Sequence, residues 1–221
     1  MLKVGLTGGI ASGKSVVGEM FMARGAHLIR ADQIAHELMQ PGQIVYEQVV
    51  QHFGTSILNA DGSVNRPKLA EVAFGSPNEN VPSRVEELNR IVHPAVILRQ
   101  EECMDEVRRQ DPAAIAIVEA ALIIEAGAAK RFDRLVLVTC RPEQRIQRFA
   151  HRMKLDEVTA RREVIRRMAA QSPDEEKVKM ADYVIDNSGS LDATERQVKE
   201  VYERLQEEQP KEHKGTTREL Q

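Results

Sequence analysis

The 221-residue sequence has no tryptophan, and aromatic residues make up only 4% of it. Aliphatic side chains and methionine must therefore fill its core, and hydrophobic residues at 42% suffice for one. Cysteine is scarce as well: Cys103 and Cys140 stand far apart, without paired-ligand spacing. That excludes a disulfide framework and a thiolate zinc site, and fits a reducing compartment. A basic excess is missing, since 31 Lys and Arg face 34 Asp and Glu for a formal charge of −3. This argues against a dedicated nucleic-acid binder. There is no long uncharged apolar run; the longest apolar stretch, residues 113–129, contains Glu119 and Glu125, which a membrane span should not carry. The N-terminal apolar run is short and breaks at Gly8-Gly9, so no signal peptide is visible. The expectation is a soluble, cytoplasmic chain with no membrane or nucleic-acid partner, monomeric or weakly oligomeric.

What is present alternates between two patterns. Residues 3–7, 26–32, 114–119, 134–139 and 182–186 are short runs, most of them nearly all apolar, as strands covered on both faces by helices must be. Helical patterns separate them. In the first, residues 15–24, Val16, Val17, Met20 and Phe21 share a face, and Gly25 sits where a C-terminal cap glycine belongs. Between the second and third strands lies a long helical region. It is punctuated by Pro41-Gly42, Gly54 and Asp61-Gly62, and the pattern predicts an interruption at His93-Pro94. This order predicts an α/β fold around a parallel sheet, with five candidate strands. The polar stretch from about residue 210 reads as a frayed tail.

The stretch "LTGGIASGKSV" carries the chemistry. Gly8, four residues, then Gly13-Lys14-Ser15 fits the G-x-x-x-x-G-K-[ST] pattern, with a predicted strand before it and a helix after. Glycines let the backbone curl so that successive N–H groups face anionic oxygens, and the helix start adds its own unpaired N–H groups and positive dipole end. In such a loop the lysine reaches the β- and γ-phosphates and the serine hydroxyl ligates Mg²⁺. A nucleoside triphosphate, ATP before others, is the implied ligand, with Gly8, Gly9, Ala11, Ser12, Gly13, Lys14, Ser15 and Val16 around its phosphates. No N-K-x-D guanine motif is present, and the chain has the size of a small-molecule kinase rather than of a motor.

Such a kinase needs an acceptor base and a lid. Asp32 ends the second predicted strand, where strand C-termini of a parallel sheet face a ligand crevice. It could accept a proton from an attacking hydroxyl, and it would serve equally well as N-cap of the helix from Gln33. Residues 141–167 are arginine-rich. Arg148 and Arg152 lie four apart on one helix face and could close over transferring phosphate, although a solvated basic face has the same pattern.

These segments together resemble the dephospho-CoA kinase family. The segments are "GLTGGIASGKS", "IRADQIAHEL", "FGTSILNADGSVNRPKLAEVAF", "LNRIVHPAV", "VEAALIIEAG", "QRIQRFAHR" and "RMAAQSPDEEKVKMADYVIDNSG", in family order from residue 3 to about 190. The resemblance implies transfer of the ATP γ-phosphate to the ribose 3′-hydroxyl of dephospho-CoA, with ATP and Mg²⁺. It implies Asp32 as general base, Arg148 and Arg152 as lid arginines, His93 near the acceptor or packed at a helix kink, and Asn187 near the adenine. It further implies a P-loop NTPase-type three-layer α/β/α core with a five-stranded parallel sheet, formed by residues 1–33 and 110–209 and binding the nucleotide, with a helical lid within 141–176, and a helical acceptor-binding domain from residues 34–109. Two positions depart from the family: Glu119 stands where an Asp is usual, and Met153-Lys154 follow Arg152 where another Asp is usual.

Overall fold

The apolar run at the N-terminus becomes the central strand β1 (Leu2–Gly8) of a five-stranded sheet. The structure is a computed structural model that describes residues 1–74, 83–169 and 171–209; the predicted tail lies outside them. The other strands are β2 (His27–Arg30), β3 (Ile115–Glu119), β4 (Arg134–Thr139) and β5 (Tyr183–Asp186), in the spatial order β2-β3-β1-β4-β5. The β1–β3, β1–β4 and β4–β5 ladders are parallel. Register decides what meets at their C-terminal ends. Leu6 stands opposite Glu119, Gly8 opposite Val138, and Thr139 opposite Asp186. The glycine loop, the end of β3 and the turn after β5 therefore leave the sheet side by side.

Alternate residues of the strands point to opposite faces. Leu2, Val4, Leu6, Ile115, Ile117, Val136, Val138 and Ile185 pack with Val17 and Phe21 of α1 (Lys14–Met22) and with Val198, Val201 and Leu205 of α9 (Leu191–Glu207). Leu135, on the other face, packs with Ile123 and Ile124 from the turns after β3. On that side Phe132 and Leu135 come so close to Gly5 that a Cβ there would lie 2.9 Å from each. Helix α1 ends in a Schellman motif: the Ala26 amide donates to Phe21 and the Gly25 amide to Met22, with Gly25 at φ +101°. Val16, predicted on the buried face, is exposed, while Gly18 takes its place beside Val17 and Phe21. A rotation of the helix by a fraction of a turn decides this: positions 17, 18 and 21 form the i, i+1, i+4 set that meets the sheet.

The chain divides into two compact units, residues 1–29 with those from 104 onward, and residues 30–103. In the second unit α2 (Ala31–Leu38), α3 (Ile44–Phe53) and α4 (Arg66–Phe74) are followed by the long α5 (Val85–Gln110). Two expectations need correction here. The strand predicted over residues 26–32 stops at Arg30, and Asp32 is the second residue of α2, neither a strand end nor an N-cap. Ala31 and Ile34 are the buried pair of that helix, so the helical period begins before Gln33. The break predicted at Pro94 is absent, and α5 runs through it. A proline inside a helix removes one backbone hydrogen bond and crowds the preceding turn. Val92 and Val96, both 7% exposed, are buried on either side of it and hold the helix in place.

Helices α6 (Pro142–Met153) and α7 (Glu157–Ala169) form the arginine-rich segment, and α8 (Asp174–Met180) precedes β5. Among the described residues no helix is long and apolar enough to cross a membrane.

Candidate active site

Residues 8–15 form a loop whose backbone uses conformations ordinary side chains avoid: Gly8, Ala11 and Gly13 have φ of 154°, 53° and 96°. The Ser12 amide donates to the Gly9 carbonyl, which tightens the curl, and Val17 donates to Gly13 to open α1. Lys14 lies within it, its Nζ donating to the carbonyl oxygens of Gly8 at 2.8 Å and Gly9 at 3.2 Å. Ser15 is exposed at the helix start and its Oγ donates to Glu119 Oε1 at 2.6 Å. The end of β3 thus brings a carboxylate to the hydroxyl that the motif assigns to a divalent cation.

The loop is supported from behind. Asn187, only 4% exposed, donates through Nδ2 to the Ser12 carbonyl at 2.9 Å and accepts through Oδ1 from Thr194 Oγ1 at 3.0 Å. A Cβ on Gly13 would fall 2.0 Å from that Nδ2, so only glycine fits beside it. Arg148 donates to the carbonyls of Ser12 at 3.2 Å and Asn187 at 2.9 Å. Cys140 donates weakly to the Ala11 carbonyl at 3.8 Å. Burial pushes its thiol pKa up, against the pull of Arg145 and Arg148, so the group stays protonated and inert. Helices α6 and α7 meet through Ile146, Phe149, Ala160 and Val164, and Ile10 and Ala11 of the loop pack on the same cluster.

Of the residues singled out in the sequence, Gly8, Gly9, Ala11, Ser12, Gly13, Lys14, Ser15, Arg148 and Asn187 converge on this loop. Arg152 does not touch it: exposed, it lies over the Phe149 ring at 5.7 Å. Lys154 adopts φ 53° and closes α6, the Leu155 amide donating to Ala150. Asp32 and His93 belong to residues 30–103. Asp32 is exposed in the first turn of α2, where the positive helix end favours a carboxylate. His93 is half-buried in α5, and burial lowers its pKa below the ordinary 6.5. In the same unit a cavity of about 920 Å³ lies between α3 and α5, lined among others by Ile44, Gln48, Arg90, Pro94 and Leu98.

Arg145 was missed. It is 1% exposed and packs directly on Gly9. Its charge suggested solvent, yet it stands with Ile146 and Phe149 as the buried face of α6, an i, i+1, i+4 set the sequence displays.

A parallel sheet whose central strand runs through a glycine loop into a helix, with lysine and serine so held, defines a P-loop kinase fold. The family model described as dephospho-CoA kinase matches residues 2–193. Curated proteins named dephospho-CoA kinase include one from Aquifex aeolicus, 38% identical over 93% of this chain and 98% of its own length. Another, from Syntrophotalea carbinolica, is 40% identical over 93% of this chain and 92% of its own. A crystal structure of a Thermus thermophilus protein is 30% identical and superposes with a TM-score of 0.71, covering 92% of this chain and 97% of that one. The chain belongs to the dephospho-CoA kinase family.

Proposed function

We propose that this chain carries the reaction of its family: it transfers the γ-phosphate of ATP to the ribose 3′-hydroxyl of dephospho-CoA, giving CoA and ADP, the last step of coenzyme A biosynthesis. The observation that carries this is the convergence of Lys14, the Ser15–Glu119 pair and Arg148 on one glycine loop, in a chain of this family.

Phosphoryl transfer asks little covalent chemistry of a protein; alignment and charge neutralisation do most of the work. The loop amides hold the donor phosphates, and Lys14, already fixed over Gly8 and Gly9, turns its ammonium to them. Among the described residues no group of three His, Cys, Asp or Glu is placed to hold a metal. The Ser15 hydroxyl with the Glu119 carboxylate beside it offers hard oxygen donors, a set that suits Mg²⁺ completed by phosphate oxygens and water. Bound there, Mg²⁺ would neutralise charge developing on the transferring group. The longer side chain of Glu119, relative to the usual Asp, reaches Ser15 directly. Asp32 takes the proton of the attacking hydroxyl. Arg148 steadies the loop and supplies positive charge near the phosphates, and Arg152 joins it when the lid closes. The helical unit of residues 30–103 receives dephospho-CoA; its cavity has the size of a small-molecule site, and His93 stands in the same helix as the lining residue Pro94.

The test is ADP release with MgATP and dephospho-CoA, run beside adenosine, AMP and shikimate, with CoA identified by mass. Turnover restricted to dephospho-CoA is the expected result. Turnover with another acceptor, or none from folded protein that binds ATP, would overturn the assignment.

A further inference from the structure

Arg145 is the largest fully buried side chain among the described residues, and its surroundings are specific. Its Nε donates to the Cys140 carbonyl at 3.3 Å, and its Nη2 donates to Asp174, the first residue of α8. Its remaining terminal nitrogen fills the place where a side chain of Gly9 would stand: a Cβ there would lie 2.3 Å from Nη1, and the three nearest atoms all belong to Arg145. Gly9 is not in the left-handed region, so its backbone would accept an alanine; Arg145 alone forbids it.

The counter-ion is itself anchored. Lys177, 2% exposed, pairs with Glu125 at 2.8 Å and donates to Gln171 at 3.2 Å, while the Ser172 amide donates to Glu125. Glu125 lies in the turns that follow β3, the strand ending in Glu119. Residues 171–177 are thus tied to the turns after β3 by the Lys177–Glu125 pair and to α6 by the Asp174–Arg145 pair, whose guanidinium packs on Gly9 of the loop. A guanidinium withdrawn from water needs such a partner, and its planar fork holds direction better than an ammonium would.

We propose that Arg145 is a positioning residue for the phosphate-binding loop, held by Asp174, so that residues 171–177 set the shape in which the loop receives ATP. The inference rests on the reading of that loop as the ATP site. Arg145 is inaccessible behind Gly9 and acts through the loop, not on the phosphate. Losing the link loosens the curl at Gly9, weakening ATP while leaving the acceptor alone.

The experiment measures KM for ATP and for dephospho-CoA, together with ATP binding by calorimetry in the absence of acceptor. Parent turnover and ATP binding test the underlying reading separately from the variants. Arg145→Gln is expected to raise KM and Kd for ATP by about tenfold, the scale of a lost charged hydrogen-bond link, with KM for dephospho-CoA unchanged. Asp174→Asn should act in the same direction more weakly, and the double variant should be no worse than Arg145→Gln, since both act on one link. Gly9→Ala should weaken ATP in the parent and do so much less in Arg145→Ala, where the space is free. An unchanged ATP affinity in Arg145→Gln, equal losses for both substrates, or a Gly9→Ala effect independent of Arg145 would overturn the proposal. Should Arg145→Gln not fold, Asp174→Asn decides alone, because Asp174 is one-third exposed: unchanged ATP affinity there is equally fatal.

Discussion

Asn187→Ala removes a buried side chain that donates one hydrogen bond and accepts another inside the protein. Two bonds disappear, Nδ2 to the Ser12 carbonyl and the one accepted from Thr194. Neither partner is left bare: the Ser12 carbonyl keeps Arg148, and the Thr194 hydroxyl keeps the Ser190 carbonyl. The cost is then about 1 kcal/mol for each net hydrogen bond, without the larger penalty of an orphaned buried group. The small void beside Gly13 raises the total to about 2–3 kcal/mol. For a chain of this length that corresponds to a melting temperature lower by about 5–10 °C. With no tryptophan to report unfolding, far-UV circular dichroism during urea titration is the suitable assay. Thr194→Val keeps the shape of a fully buried side chain but takes away the donor to the buried Asn187 Oδ1, so it should cost about 1–3 kcal/mol, and the two changes should sum to less than their parts. An Asn187→Ala protein within about 0.5 kcal/mol of the parent would refute the view that this side chain braces the loop.

Three further outcomes are expected. Glu119→Gln can still accept from Ser15 but loses its charge, so the Mg²⁺ concentration for half-maximal turnover should rise about 10–100-fold at unchanged melting temperature, read by metal titration. Pro94→Ala should stabilise the protein by about 1–3 kcal/mol in denaturant titration, because it restores the missing backbone donor of α5 and relieves crowding without touching Val92 or Val96. His93 binds its proton less readily in the folded protein than in the unfolded chain, because burial disfavours the charged ring. As pH falls through 6.5 the unfolded chain therefore gains the proton first and stability declines, a limb that His93→Gln should flatten in melting curves from about pH 7 to pH 5.

The strands at residues 115–119 and 134–139 were legible because a strand buried on both faces needs an unbroken apolar run, and few other structures do. The loop was legible because its glycines are demanded by backbone geometry, which spacing alone reveals. Asp32 was misplaced because "IRADQI" contains no breaker; strand and helix share those residues without a signal, and only the burial of Ala31 with Ile34 fixes the boundary at Arg30.

Pro94 and Arg145 escape sequence reading for one common reason. Local rules assign proline to a helix end and arginine to solvent, and each rule states the lowest free energy of a residue considered with its near neighbours. At Pro94 the lost hydrogen bond is offset by flanking valines buried at 7% exposure. At Arg145 the desolvation of a guanidinium is offset by Asp174, twenty-nine residues away, and by the Cys140 carbonyl. Such partners cannot be found by scanning a window of sequence. Arg145 could nevertheless have been suspected from a conflict within the window itself, since α6 places a charge at a position its apolar period assigns to the core. A charge placed there is stable only with a partner, and in this chain the partner, Asp174, holds the guanidinium that packs on Gly9 of the loop.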